Sequence, residues 1–222
     1  MIRFNVKRGI IKRYAMNIIF IAFIAIEIMY FNTYSRTIFH RKPSFADIYV
    51  GFFKGEYPAS MFHADNINFP APWFTYYLLT SLYTALFPYE ELHNSAARVL
   101  LRVGSRRKWF GGILIYILFA NLAAFIFLVL SSIISSGGFG LGIPYDCIWP
   151  VRVRGVSGLR GIYLLLIPLI AQLLLSTITT IIFLKLGVVK GTVILMIYLI
   201  LCVYFDSPLL FPTRSMIMRY NY

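Results

Sequence analysis

Charge is scarce in this chain. Aspartate and glutamate number 8 in 222 residues, lysine and arginine 21, and charged residues make up 13% of the whole, about half the share usual in soluble domains. Water-facing domains need more, so an ordinary soluble globular class is excluded. Cys147 and Cys202 are the only cysteines, too few for a disulfide framework, and neither belongs to a Cys-x-x-Cys pair or a Cys/His cluster. His40, His63 and His93 lie far apart and form no His-Glu-x-x-His metal motif. A Gly-x-x-x-x-Gly-Lys-Ser/Thr loop is missing, so the chain does not cradle ATP phosphates in that way. A Gly-x-Ser-x-Gly elbow is missing too. The glycine-rich string SSGGFGLG follows no strand and opens no helix, and it reads as a flexible loop. The chain is therefore expected to have no catalytic residue, bound cofactor or metal of its own.

Apolar sequence fills the space. Hydrophobic residues are 59% and aromatic residues 18% of the chain, with a net charge of +13. A nucleic-acid binder would spread its cations over a soluble surface, whereas here they sit between apolar blocks. Their expected partner is the anionic face of a membrane, with no nucleic acid involved.

A bilayer core of about 30 Å takes roughly 20 apolar residues in a helix. Five stretches approach that, at residues 14–31, 72–87, 110–134, 161–184 and 186–205. The second is short and starts with a cluster of aromatic residues, as an interfacial belt does. The first has basic residues before it but no Ala-x-Ala site after it, so it reads as a retained span rather than a leader. The expectation is an all-α polytopic membrane protein in one transmembrane domain, 1–222. It would have five transmembrane helices, a basic interfacial helix at the N-terminus, and outer loops at 32–71 and 135–160.

Cation density sets the orientation. Segments 1–13, 88–109 and 185–190 hold five, five and two cations, against four, three and two in segments 32–71, 135–160 and 206–222. The first set is about half as long in total, so its density is higher and the N-terminus is expected in the cytoplasm.

The densest charge lies in ARVLLRVGSRRKW, directly before the third apolar stretch. Upstream of it, Leu92, Ala96, Val99, Leu100 and Val103 recur at helical spacing, with Glu90 and Glu91 early and Arg98 and Arg102 late. This predicts an amphipathic cytoplasmic helix over 90–103. Arg106, Arg107 and Lys108 would meet lipid headgroups beside Trp109, a membrane anchor, with Ser105 capping the next helix. A helix longer and better patterned than a simple connection requires is suited to docking a soluble partner.

The order of a basic N-terminus, one span, a long outer connection ending NINFPAPWFTYYLL, and then ARVLLRVGSRRKWF resembles the small permease subunits of bacterial ABC-2 type exporters, especially members from Firmicutes. Pro70 to Trp73 and Arg102 to Trp109 carry the likeness, which covers about the first 135 residues. The resemblance implies a multi-pass subunit in the bacterial cytoplasmic membrane that dimerises with a second permease subunit. It also implies soluble ABC ATPase partners holding ATP and Mg, with Glu90, Leu92, Ala96, Val99, Leu100 and Val103 as ATPase-coupling residues. That family generally has six spans and this chain offers five, so either the natural protein is shorter or the chain stops before a sixth span. The string SPLLFPTRSMIM would suit the short re-entrant hairpin that precedes the last span in such permeases.

Glu27 is the one acid well inside a span. A charge in hydrocarbon costs from about 2.5 kcal/mol upward, so it pairs with a neighbouring helix, reaches the outer interface, or lines a substrate path. Asn121 and Gln172 are the other path-lining candidates, and each equally suits bonding between helices. Two further function classes stand beside the exporter. One is a non-transporting membrane scaffold or peptide-immunity protein. The other is a lipid-modifying enzyme, disfavoured because it would need a catalytic set at membrane depth.

Overall fold

The computed structural model describes residues 14–40, 42–55, 69–103, 105–136, 158–207 and 209–219. Among them are six α-helices and no strand: α1 (Tyr14–Phe39), α2 (Phe45–Phe53), α3 (Ala71–Val103), α4 (Arg106–Ser136), α5 (Gly158–Leu186) and α6 (Val188–Tyr204). Two 3-10 turns follow, Phe211–Ser215 and Ile217–Arg219. The basic N-terminal segment and most of the 135–160 connection, Cys147 included, lie outside the described residues.

Three helices are long and apolar enough to cross a membrane, over Ala15–Ile38, Arg107–Ser136 and Leu165–Leu186. Their outer faces are apolar. Ile18, Ile26 and Met29 of α1, Leu118, Phe119 and Ile134 of α4, and Ile170 and Leu174 of α5 are all exposed. Asn121, Ser132, Gln172, Ser176, Thr179 and Thr180 are buried instead. Lipid can solvate such an exterior, while the interior groups bond back within their helices, as Ser132 and Thr180 do, or across to another, as Ser176 does to Asn121. The chain is a membrane protein.

Of the five expected spans, the other two fall short in different ways. α6 is apolar but has 17 residues, about 26 Å at 1.5 Å per residue. α3 is long enough at 33 residues but not apolar enough. The reason is its position. Trp73, Tyr76, Tyr77, Thr80, Ser81, Thr84, Ala85 and Phe87 are all buried, and α3 packs most extensively against α5, with α4, α6 and α2 also touching it. A helix sheathed by other helices does not need an apolar perimeter.

Two expected boundaries move. Residues 32–71 do not form a continuous outer loop, because α1 runs on to Phe39 and α2 follows. All nine residues of α2 are buried, as the sequence FADIYVGFF, apolar but for Asp47, favours. A capping box starts it: Asp47 N donates to Ser44 Oγ at 3.2 Å and Ser44 N donates to Asp47 Oδ2 at 2.8 Å. The stretches 72–87 and 90–103, expected as separate helices, form the single helix α3 with Pro88 inside it. Pro88 brings no N–H to the Thr84 carbonyl, yet packing carries the helix through.

Side-chain bonds fix which way the helices run. Asn32 Nδ2 donates to Ser135 Oγ at 2.6 Å, so α1 and α4 end together. At that same end Trp73 Nε1 donates to Ser215 Oγ at 2.9 Å, and Tyr77 OH donates to the Pro168 carbonyl at 3.1 Å. The starts of α3 and α5 and the C-terminal turns are thus neighbours. At the opposite end the Phe87 and Tyr116 rings lie 4.6 Å apart, and the chain turns from α5 into α6 at Gly187 alone, with φ +84°. A Cβ on Gly191 would lie 2.4 Å from Phe183 Cδ1, so these two helices touch backbone to ring. α1, α4 and α6 run one way, α3 and α5 the other.

Candidate functional site

Glu27 borders a cleft. On α1 the residues Glu27, Tyr30 and Tyr34 are three and four apart and share one face. With Lys54 at the end of α2 and Phe69 and Pro70 at the entry to α3, they wall a cleft of about 530 Å³. Glu27 is partly exposed and makes no hydrogen bond or ion pair with another described residue. Tyr30 and Tyr34 stack with ring centroids 6.0 Å apart, and Phe31 stands edge-on to Tyr30 at 5.6 Å. A second, smaller cleft of about 240 Å³ opens between α1, α3 and α4, beside Asn17, Phe20, Thr80, Tyr83, Ala124 and Phe127.

Asn121 and Gln172 border neither cleft. Gln172 Nε2 donates to Ser176 Oγ at 3.1 Å, Ser176 Oγ donates to Asn121 Oδ1 at 3.1 Å, and Asn121 Nδ2 donates to the Ile117 carbonyl at 2.8 Å. All three side chains are buried. Their polar atoms join α4 to α5, the interhelical bonding that a membrane interior favours.

At the far end of the bundle, Lys108 N donates to Ser105 Oγ at 3.2 Å, capping α4. Three cations then open this helix, where the positive end of its dipole disfavours them. Arg107 and Lys108 are exposed, so anionic surroundings rather than helix electrostatics suit their placement. Trp109 turns inward instead and packs with Phe87, Ile113, Tyr116, Ile117 and Ala120. Glu90 is exposed, Glu91 buried, and Leu92 packs against that aromatic cluster. The side chains of Ala96, Val99, Leu100, Val103 and Arg106 lie outside the described residues, although the helical backbone of α3 reaches Val103.

One residue that sequence reasoning placed merely among the outer cations is Arg219. Its guanidinium is buried, with Nη1 donating to the Cys202 and Phe205 carbonyls at 3.0 Å each and Nη2 to the Val203 carbonyl at 2.5 Å. The last carbonyls of α6 have no partners within the helix, and a cation is the favourable group there. Nothing in the spacing of TRSMIMRY announces this, because the bond forms by the chain folding back.

Among the described residues no three His, Cys, Asp or Glu side chains converge on a metal-sized space. The arrangement offers a polar interior, one carboxylate in an aromatic cleft and one long central helix that passes from end to end. No protein-family model, curated protein or solved structure matches the chain.

Proposed function

We propose that the chain is the membrane-spanning permease subunit of an ATP-driven exporter of the ABC-2 type. A separate nucleotide-binding subunit would carry ATP and Mg, and a second permease subunit would complete the path. On this reading it lies in the bacterial cytoplasmic membrane with the N-terminus inside and five crossings, α3 and α6 included. The observation that carries the reading is the continuity of α3. Its first four turns are the buried centre of the bundle, and the same helix runs on to Val103 without a break. A push on the amphipathic segment 90–103 therefore reaches the packed core directly, with no loop to absorb it. Pro88, itself buried, lies two residues before this arm begins, and its missing hydrogen bond makes it the softest point of the rod. Arg107 and Lys108 would keep the following helix at the lipid surface, at about 1 kcal/mol per headgroup-facing cation.

The experiment is co-expression with the soluble ATPase of the neighbouring gene and purification through a tag on the chain. The wild type should bring down the ATPase and stimulate its ATP hydrolysis. The double substitution Val99→Asp and Leu100→Asp should abolish both while the chain still inserts in the membrane. Undiminished assembly and stimulation by that variant, or no neighbouring ATPase that binds the wild type, would leave the scaffold or peptide-immunity reading in its place.

A further inference from the structure

We propose that the cleft beside Glu27 binds a substituted ammonium group carried on an apolar body. Glu27 is the one acidic group among the described residues of its lining, and no described residue neutralises it. The walls are aromatic: Tyr30, Phe31 and Tyr34 from α1, with Phe69 opposite. Ring faces attract a cation within about 6 Å of the centroid, and alkylated ammonium ions are the cations that aromatic walls select. A small metal ion would find a single carboxylate among the described residues there, whereas calcium takes about 6–8 oxygen ligands. The cleft volume, about 530 Å³, falls within the usual span for small-molecule sites, about 300–1,000 Å³.

Depth supports the same ligand. Beyond Phe31 the α1 sequence turns polar, NTYSR, and Asn32 bonds Ser135 at the level where the apolar run of α4 also ends. Glu27 lies five residues before Asn32, about 7.5 Å along the axis at 1.5 Å per residue. An ammonium head at Glu27 would thus sit about that far below the Asn32–Ser135 contact, inside the candidate span Ala15–Ile38. Its apolar chain would run past Ile26 and Tyr30, both of which are exposed. Lys54 stands on the same rim with an interaction of its own. A zwitterionic headgroup could use that positive charge, and a simple amphiphilic cation would lie away from it.

The site does not depend on coupling to an ATPase, so it is tested on the purified chain alone. Native mass spectrometry from dodecyl maltoside would compare three probes: tetradecyltrimethylammonium, phosphatidylcholine, and phosphatidylglycerol with matching acyl chains. The wild type should hold at least one ammonium probe in preference to phosphatidylglycerol. Retention of phosphatidylcholine points to a lipid headgroup as the source, and retention of tetradecyltrimethylammonium alone to a free amphiphile. Glu27→Gln, which keeps shape and removes charge, should weaken that binding about tenfold, the effect of losing one charge contact worth about 1.4 kcal/mol. Tyr30→Leu at an exposed position should weaken it about threefold through the lost ring face. It decides the matter if Glu27→Gln does not elute as a folded species. Equal retention of phosphatidylglycerol, or wild-type affinity in both variants, overturns the proposal.

Discussion

Replacing Arg219 with alanine tests how α6 is held. The guanidinium reaches three carbonyls at the end of that helix, and those of Cys202 and Val203 belong to buried residues. Hydrogen bonds from a charged donor contribute about 1.5–3 kcal/mol each, and a buried acceptor left without a donor costs about 1–3 kcal/mol. Water can reach the exposed end at Phe205 and recover part of this, so the net loss is about 3 kcal/mol. For a chain of this size that lowers the unfolding midpoint by about 6–12 °C. Arg219→Lys keeps the charge but not the fork, and it should recover about half the loss. The assay is thermal unfolding of the purified protein in detergent, followed by far-ultraviolet circular dichroism. A midpoint unchanged in Arg219→Ala, or a lysine variant no better than alanine, refutes the clasp.

Two further substitutions probe the packing. Gly191→Ala places a methyl 2.4 Å from Phe183 Cδ1, and the repacking should cost about 1–3 kcal/mol, seen as a lower unfolding midpoint in the same assay. A wild-type midpoint would mean that α5 and α6 can separate freely. Asn121→Ala removes the acceptor that Ser176 Oγ uses, and a double-mutant cycle with Ser176→Ala should return a coupling of about 0.6 kcal/mol and at most about 1.7. Strictly additive effects would show that the bond contributes nothing.

Helix type and the three strongest spans could be read from hydropathy, since α1, α4 and α5 present apolar faces to lipid all along their length. The helical character of 72–103 was legible as well, but its role was not, because burial at the centre of a bundle leaves no fixed period in one sequence. Pro88 stands between the expected span 72–87 and the expected helix 90–103, and tertiary contacts carry the helix across it. α2 was missed although its signal was present: Ser44-Phe-Ala-Asp47 before an apolar run is a capping box, hidden inside the segment 32–71 that was expected as an outer loop. For the site, Glu27 stood out because an acid in an apolar run is conspicuous. Its aromatic company was half legible, since Tyr30 and Tyr34 share its helical face while Lys54 and Phe69 arrive through folding. Asn121 could not be joined to Ser176 and its neighbour Gln172 from sequence, because 55 residues separate the bonded pair and only the packing of α4 on α5 selects it.

The modest hydropathy of α3 bears on how the chain is made. This helix leaves the ribosome before α4 and α5 exist to cover it, so its first surroundings in the membrane are lipid or the insertion channel. Thr80 and Thr84 turn their hydroxyls onto the carbonyls of Tyr76 and Thr80, at 2.6 and 3.0 Å, which lowers the cost of that interval. On the proposed topology Arg107 and Lys108 would hold the start of the next helix on the synthesis side, and α4, the most apolar of the candidate spans, would supply the pull toward lipid that its predecessor lacks. If α3 crosses the membrane as proposed, integration of the pair as one hairpin, rather than helix by helix, follows from the same uneven division of grease that makes α3 fit for the centre.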